Sequence, residues 1–222
     1  MGKITILEST TKYPLLLIGM SAGICWDSPI NDVEKNIKRA KSCIASGHGR
    51  VMEYPEIHLV IDGYSARVIR EWYTHLGGAP TRLQSSTRYV NESGFDFVEP
   101  KMTPDATEVY YETMMNIRRG YSKLVELGVK REDAAMVLPL GMTTKIVDKR
   151  NLRNLVDMSH QRMCTRAYWE YRELMKDICT ALSGYSDEWK WIVDNLMKPK
   201  CEVTGFCTEE KSCGRKPKKE EL

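Results

Sequence analysis

Residues 48–76 read HGRVMEYPEIHLVIDGYSARVIREWYTHL. Within this stretch the apolar spacing changes from two to about four. Ile57, Leu59 and Ile61 alternate with His58, Val60 and Asp62, the pattern of a half-buried strand over residues 56–62. Gly63 is expected to turn the chain. Ser65 carries an oxygen able to cap a helix running to about Leu76, with Val68, Ile69, Trp72 and Tyr73 on its apolar face. On another face Arg67, Glu71 and His75 fall four apart, which aligns three polar side chains.

Toward the N-terminus, the apolar runs 4–9 and 15–20, bounded by Thr, Gly and Pro, read as one or two short buried strands or a strand and a turn. Residues 31–46 read as a helix, since Val33, Ile37, Ala40, Cys43 and Ile44 recur at helical spacing and Gly47 follows. Toward the C-terminus, residues 77–85 contain Gly77, Gly78, Pro80 and Arg82, a composition for a loop whose backbone lies close to a ligand. A long helix is predicted from Thr103, with Pro104 in its first turn, Gly128 past its end, and Tyr110, Met114, Ile117 and Tyr121 toward the core. Shorter helices are predicted over 131–137 and 151–158, a long one over 162–183 and a last over 187–197. Beyond Pro199 the periodicity stops, which divides the chain into a domain of residues 1–198 and an appendage of 199–222.

With 222 residues, 42% hydrophobic and 28% charged, the chain falls outside the disordered and fibrous classes. The longest apolar run, Tyr13 to Met20, is far below the ~20 residues of a membrane span, and the opening residues lack a signal-peptide pattern. A cytoplasmic protein without a membrane partner is therefore expected. A net charge of +3 does not argue for nucleic acid, and the basic residues 215–219, followed by two glutamates, read as a solvated tail. Cys25, Cys43, Cys164 and Cys179 read as reduced thiols. The five-residue gaps between Cys201, Cys207 and Cys213 do not match the close pairs of common zinc sites, so no metal is assigned.

P-loop, Rossmann, zinc-protease and nucleophile-elbow patterns are absent from the sequence. Arginines stand out instead: Arg67, Arg70, Arg82 and Arg88 in one region, Arg162, Arg166 and Arg172 in another. Guanidinium forks suit phosphate and base edges, yet surface pairing with Glu170 and Glu173 accounts for the second group equally well. His48, His75 and His160 read either as ligand contacts or as capping and core residues.

Several segments, taken in order, resemble the flavin-dependent thymidylate synthases. These are His48-Gly-Arg-Val-Met-Glu53-Tyr, then Gly63-Tyr-Ser-Ala-Arg67, Arg70-Glu-Trp-Tyr-Thr-His75-Leu, Gln84-Ser-Ser86-Thr-Arg88-Tyr89, residues 128–140, Lys145, Asn151-Leu-Arg153 and Ala167-Tyr-Trp-Glu170-Tyr-Arg172. The resemblance implies an α+β fold with a central, mostly antiparallel sheet and long helices. It implies methylation of dUMP to dTMP, with methylene-tetrahydrofolate as carbon donor, reduced FAD as hydride source, NADPH as reductant and a homotetramer as the working form. By position it makes Arg172 the catalytic residue at the uracil edge. It assigns Cys25, His48, Arg50, Glu53, Thr74, His75, Leu76, Gln84, His160, Arg162 and Arg166 to FAD. Glu71, Ser85, Ser86, Thr87, Arg88 and Lys145 go to dUMP, together with Arg172. The departures fall on the family's Arg-His-Arg signature, where Thr74 and Leu76 replace both arginines, and Glu71 stands where a glutamine is usual. Arg82, in a loop two residues longer than usual, is expected to return one positive charge. A flavin enzyme acting on another pyrimidine nucleotide and a non-catalytic nucleotide-binding relative are the competing readings.

Overall fold

The computed structural model describes residues 2–222. The fold is α+β: a four-stranded antiparallel sheet, ordered β1-β2-β4-β3, with long helices. The strands are β1 (Lys3–Ile6), β2 (Glu56–Ser65), β3 (Thr81–Gln84) and β4 (Thr143–Asn151). The helices are α1 (Pro14–Cys25), α2 (Val33–Ala45), α3 (Ala66–Trp72), α4 (Pro104–Glu126), α5 (Arg131–Ala134), α6 (Leu152–Arg162), α7 (Trp169–Ser183), α8 (Asp187–Leu196) and α9 (Lys200–Thr204). Two compact units are present. One contains the residues up to Lys3, Ile61–Thr74 and Leu83–Val147, the other Ile4–Val60, His75–Arg82 and Asp148–Leu222.

Strand β2 buries Ile57, Leu59 and Ile61 completely, as their alternation requires. It does not stop at Gly63, however. That glycine adopts φ +76 inside the strand, so the left-handed residue kinks β2 rather than turning it, and pairing continues to Ser65. The Ser65 hydroxyl then accepts from the Val68 N–H and caps α3. Helix α3 ends at Trp72, four residues before the expected limit. His75 therefore leaves the Arg67–Glu71 stripe and lies in the other unit.

The run 15–20 is helical, contrary to its reading as a strand or a turn. Pro14 occupies the first helical turn, and Leu15, Ile18, Gly19, Ala22 and Gly23 form a buried stripe at helical spacing. A carboxylate distant in sequence completes the helix start: Glu188 of α8 accepts from the N–H groups of Leu15 and Leu16 at 2.6 and 3.1 Å. Packing on α2 is close enough that a Cβ at Gly19 would overlap the backbone carbonyl of Asn36. Gly19→Ala is expected to destabilise the protein by about 1–3 kcal/mol, read as a lower urea midpoint.

Strand β4 was not expected at all. Its inward residues are Thr144, Ile146, Asp148 and Arg150, so the period of two is real but half of it is charged. Strand β3 likewise occupies part of the expected loop 77–85. The helix expected over 162–183 starts only at Trp169: α6, expected over 151–158, runs on to Arg162, and a turn through Met163–Tyr168 leads into α7. Arg162 and Arg166 thus share no helical face. Residues 199–222 are folded, with α9, a bridge between Cys207 and Lys218, and a Cys207 N–H to Pro217 carbonyl bond of 2.7 Å. No helix among the described residues is long and apolar enough to cross a membrane.

Candidate active site

The C-terminal end of β4 introduces a fully buried ion pair. Arg150 and Asp148 are each 1% exposed, and the guanidinium engages both carboxylate oxygens, Nε to Oδ2 at 2.6 Å and Nη2 to Oδ1 at 2.8 Å. Arg150 Nη1 donates to Asn154 Oδ1 at 2.6 Å and meets the Met158 sulfur. Asn154, Met158 and Arg162 recur every four residues, so one face of α6 runs from this buried pair to its last residue. At that end Arg162 Nε donates to His75 Nε2 at 2.9 Å, and the guanidinium lies 4.7 Å from the Tyr171 ring centroid. His75 packs edge-on to the same ring.

This arrangement fixes the state of His75. Burial, then the charges of Arg162 and Arg150, lower its pKa to about 4. The imidazole is neutral at pH 7. Because Nε2 accepts from Arg162, its proton resides on Nδ1, which is a donor. Unfolding restores an ordinary pKa near 6.5, so the unfolded chain binds a proton that the folded one refuses as pH falls from about 6.5 to about 4. Stability is expected to fall across that window by at most about 1.4 kcal/mol per pH unit. Urea midpoints at pH 7.5 and 5.0 check this, and a His75→Gln variant should show a smaller drop.

The turn after α6 is held by Arg172, whose Nη1 donates to the carbonyls of Thr165 and Ala167 at 2.8 and 2.6 Å. Arg166, in that turn, pairs with Glu209 at 3.8 Å, and His160 meets the Leu196 carbonyl at 3.2 Å. His160, Arg162 and Arg166 line one cavity of about 490 Å³. Cys25, His48 and Arg50 line another of about 320 Å³, walled by Trp26, Val51 and Tyr54. Glu53 forms an ion pair with Arg153 at 2.6 Å, and Leu76 is exposed. Arg82 lies on β3 and is partly buried.

The other unit holds the remaining expected residues. The Ser85 N–H donates to the Lys145 carbonyl, and the Arg88 N–H reaches the Ser86 hydroxyl at 3.3 Å. The charged ends have carboxylate partners: Lys145 with Asp62 at 2.7 Å, Arg88 with Glu132 at 2.9 Å. Gln84 donates to the Thr144 hydroxyl, Thr74 donates to the Glu71 carbonyl, and Glu71 is 4.0 Å from Arg67. Thr87 is partly buried beside this group. Among the described residues no group of three or more His, Cys, Asp or Glu side chains is placed to hold a metal.

The family model of the thymidylate synthase complementing proteins, Thy1, matches residues 6–184. The chain belongs to the Thy1 family. Curated relatives agree. A flavin-dependent thymidylate synthase of Pyrococcus furiosus is 29% identical over 220 residues, covering 91% of this chain and 88% of that protein. One from Thermococcus kodakarensis is 30% identical with the same coverage, and one from Clostridium tetani is 28% identical over 96% of this chain and 93% of its own. The match spans β2, β4, α6 and α7, and with them both the buried pair and the His75–Arg162 contact. Sequence reasoning missed Asp148, Arg150 and Asn154. The spacing of Asn154, Met158 and Arg162 was the available signal.

Proposed function

We propose that this Thy1 protein is a flavin-dependent thymidylate synthase that methylates dUMP to dTMP, with methylene-tetrahydrofolate as the carbon donor and NADPH as the reductant. The observation that carries the reading is the family match across the unit containing His75 and Arg162, together with relatives named for this activity over nearly their whole length. The side chains fit a flavin dinucleotide. The cavity lined by His160, Arg166 and Lys200 offers cations for phosphates, and the cavity at Cys25, His48 and Arg50 offers the aromatic walls of Trp26 and Tyr54 for a planar ring. When bound, FAD in its reduced form supplies the hydride that a methylene group needs to become methyl.

The chain's own residues then have distinct duties. Arg162, held by Tyr171 and His75, offers its guanidinium donors to the uracil edge where negative charge develops. His75 holds its proton on Nδ1 and serves as a donor to ligand. Arg172, the residue the resemblance named as catalytic, acts on this reading through the turn 163–168, because its Nη1 is engaged by two backbone carbonyls. Ser85, Ser86, Thr87, Arg88 and Lys145 hold dUMP, with Arg88 and Lys145 exchanging carboxylate partners for phosphate. Glu71 lies with this group and selects among nucleotide edges. Cys25, His48, Arg50, Glu53, Thr74, Leu76 and Gln84 complete the flavin contacts in a cytoplasmic homotetramer, and residues 199–222 are an appendage to the domain 1–198.

The visible spectrum of the purified chain with FAD tests this reading. Bound-flavin bands that shift when dUMP is added are expected, with no comparable shift on adding dCMP or UMP. Absence of flavin binding contradicts it.

A further inference from the structure

Six cations, Arg162, Arg166, Lys200, Lys211, Arg215 and Lys216, line the cavity of about 490 Å³, and four of them come from residues 199–222. Glu209 is the carboxylate in the same wall, and it faces Arg166 at 3.8 Å. Arg215 has Glu202 at 3.6 Å. Among the described residues Lys200, Lys211 and Lys216 have no carboxylate within ion-pair distance.

Like charges gathered round one cavity repel, and an anion seated among them removes that repulsion while collecting hydrogen bonds from several donors. The segment that brings them is held in place. Cys207 is buried, its N–H reaches the Pro217 carbonyl, and Lys219 lies over the Phe206 ring. The loop between Cys207 and Pro217, which carries Lys211, Arg215 and Lys216, is thereby closed at its base. At its tip Cys213 meets the turn after α6: a hydrogen bond from Thr165, then one from the Arg215 backbone, pulls its thiol below the ordinary value.

We propose that residues 199–222 complete an anion pocket for a pyrophosphate-bearing ligand, with Lys211 and Lys216 acting alongside Arg166 and making up positive charge absent at Leu76. That the ligand is FAD rests on the function proposed above. The pocket itself rests on the cations around it.

Inorganic pyrophosphate, FAD and riboflavin are titrated against the full chain and against Lys211→Ala/Lys216→Ala, by calorimetry for pyrophosphate and flavin fluorescence for the others. A Lys12→Ala/Lys38→Ala variant controls for net charge. The expected result is a loss of about tenfold or more in affinity for pyrophosphate and FAD, with riboflavin and the control variant unaffected. Replacement of both lysines by arginine should restore binding. Pyrophosphate that binds through the lysines to a chain that takes no FAD supports the pocket and removes the flavin reading. FAD bound equally by the wild-type and double-alanine chains overturns the pocket and leaves the flavin reading standing. Absence of pyrophosphate binding at low salt also overturns it.

Discussion

Replacing Arg162 with alanine is expected to lower kcat for dTMP formation by about 10²–10³, the usual cost of removing one donor from the place where charge develops. The guanidinium has a fixed bearing because Tyr171 supports one face and His75 takes the Nε hydrogen. Its loss should leave the fold intact, since Arg162 ends its helix and lines a cavity rather than filling the core. Arg172→Ala should behave differently. Removing the side chain frees the carbonyls of Thr165 and Ala167 and loosens the turn carrying Arg166. A weaker affinity for FAD and a raised KM for dUMP are expected, with kcat at saturation reduced less than in Arg162→Ala. Steady-state kinetics of the two variants, with circular dichroism as the check on folding, decide the roles. The reverse ranking of kcat, at intact fold, returns the catalytic role to Arg172.

Asp148→Ala is expected to cost about 3–5 kcal/mol of stability, because it leaves the Arg150 guanidinium charged and deprived of its carboxylate partner in a site that is 1% exposed. Urea unfolding at pH 7.5 measures it. A double replacement, Asp148→Leu with Arg150→Met, keeps the volume and removes both charges, so most of the stability should return. That double variant also bears on function. The Arg150 charge is one of the causes that hold the His75 pKa down, so its removal should raise the histidine pKa, visible in NMR titration of the imidazole. An unchanged His75 titration in the double variant would disconnect the buried pair from the site.

Local chemistry made β2, α2, α4 and the Ser65 cap readable in the sequence, since their apolar period and capping residues act within one element. What escaped depended on distant partners or on polar cores. The run 15–20 is apolar without a decisive period over six residues, and its helical start is satisfied by Glu188 from the other end of the chain. Strand β4 alternates correctly, but Asp148 and Arg150 occupy inward positions that pattern reading reserves for apolar side chains. The turn 163–168 carries neither proline nor glycine, so nothing in it separates the end of α6 from the start of α7. The same holds for the candidate site. Arg162 and His75, 87 residues apart, could be named from resemblance, but their hydrogen bond required the fold. In the tail, the basic residues 215–219 followed by two glutamates are legible as solvated and stay largely exposed, but the closure between Cys207 and Pro217 that folds the segment is not.

The most direct test of the proposed activity is dTMP formation by the purified full chain supplied with dUMP, methylene-tetrahydrofolate and FAD reduced chemically, which removes any dependence on the physiological reductant. Formation of dTMP that requires the flavin is expected, and it should fall with Arg162→Ala. Absence of dTMP from a chain that binds both FAD and dUMP, or equal formation without flavin, contradicts the proposed function.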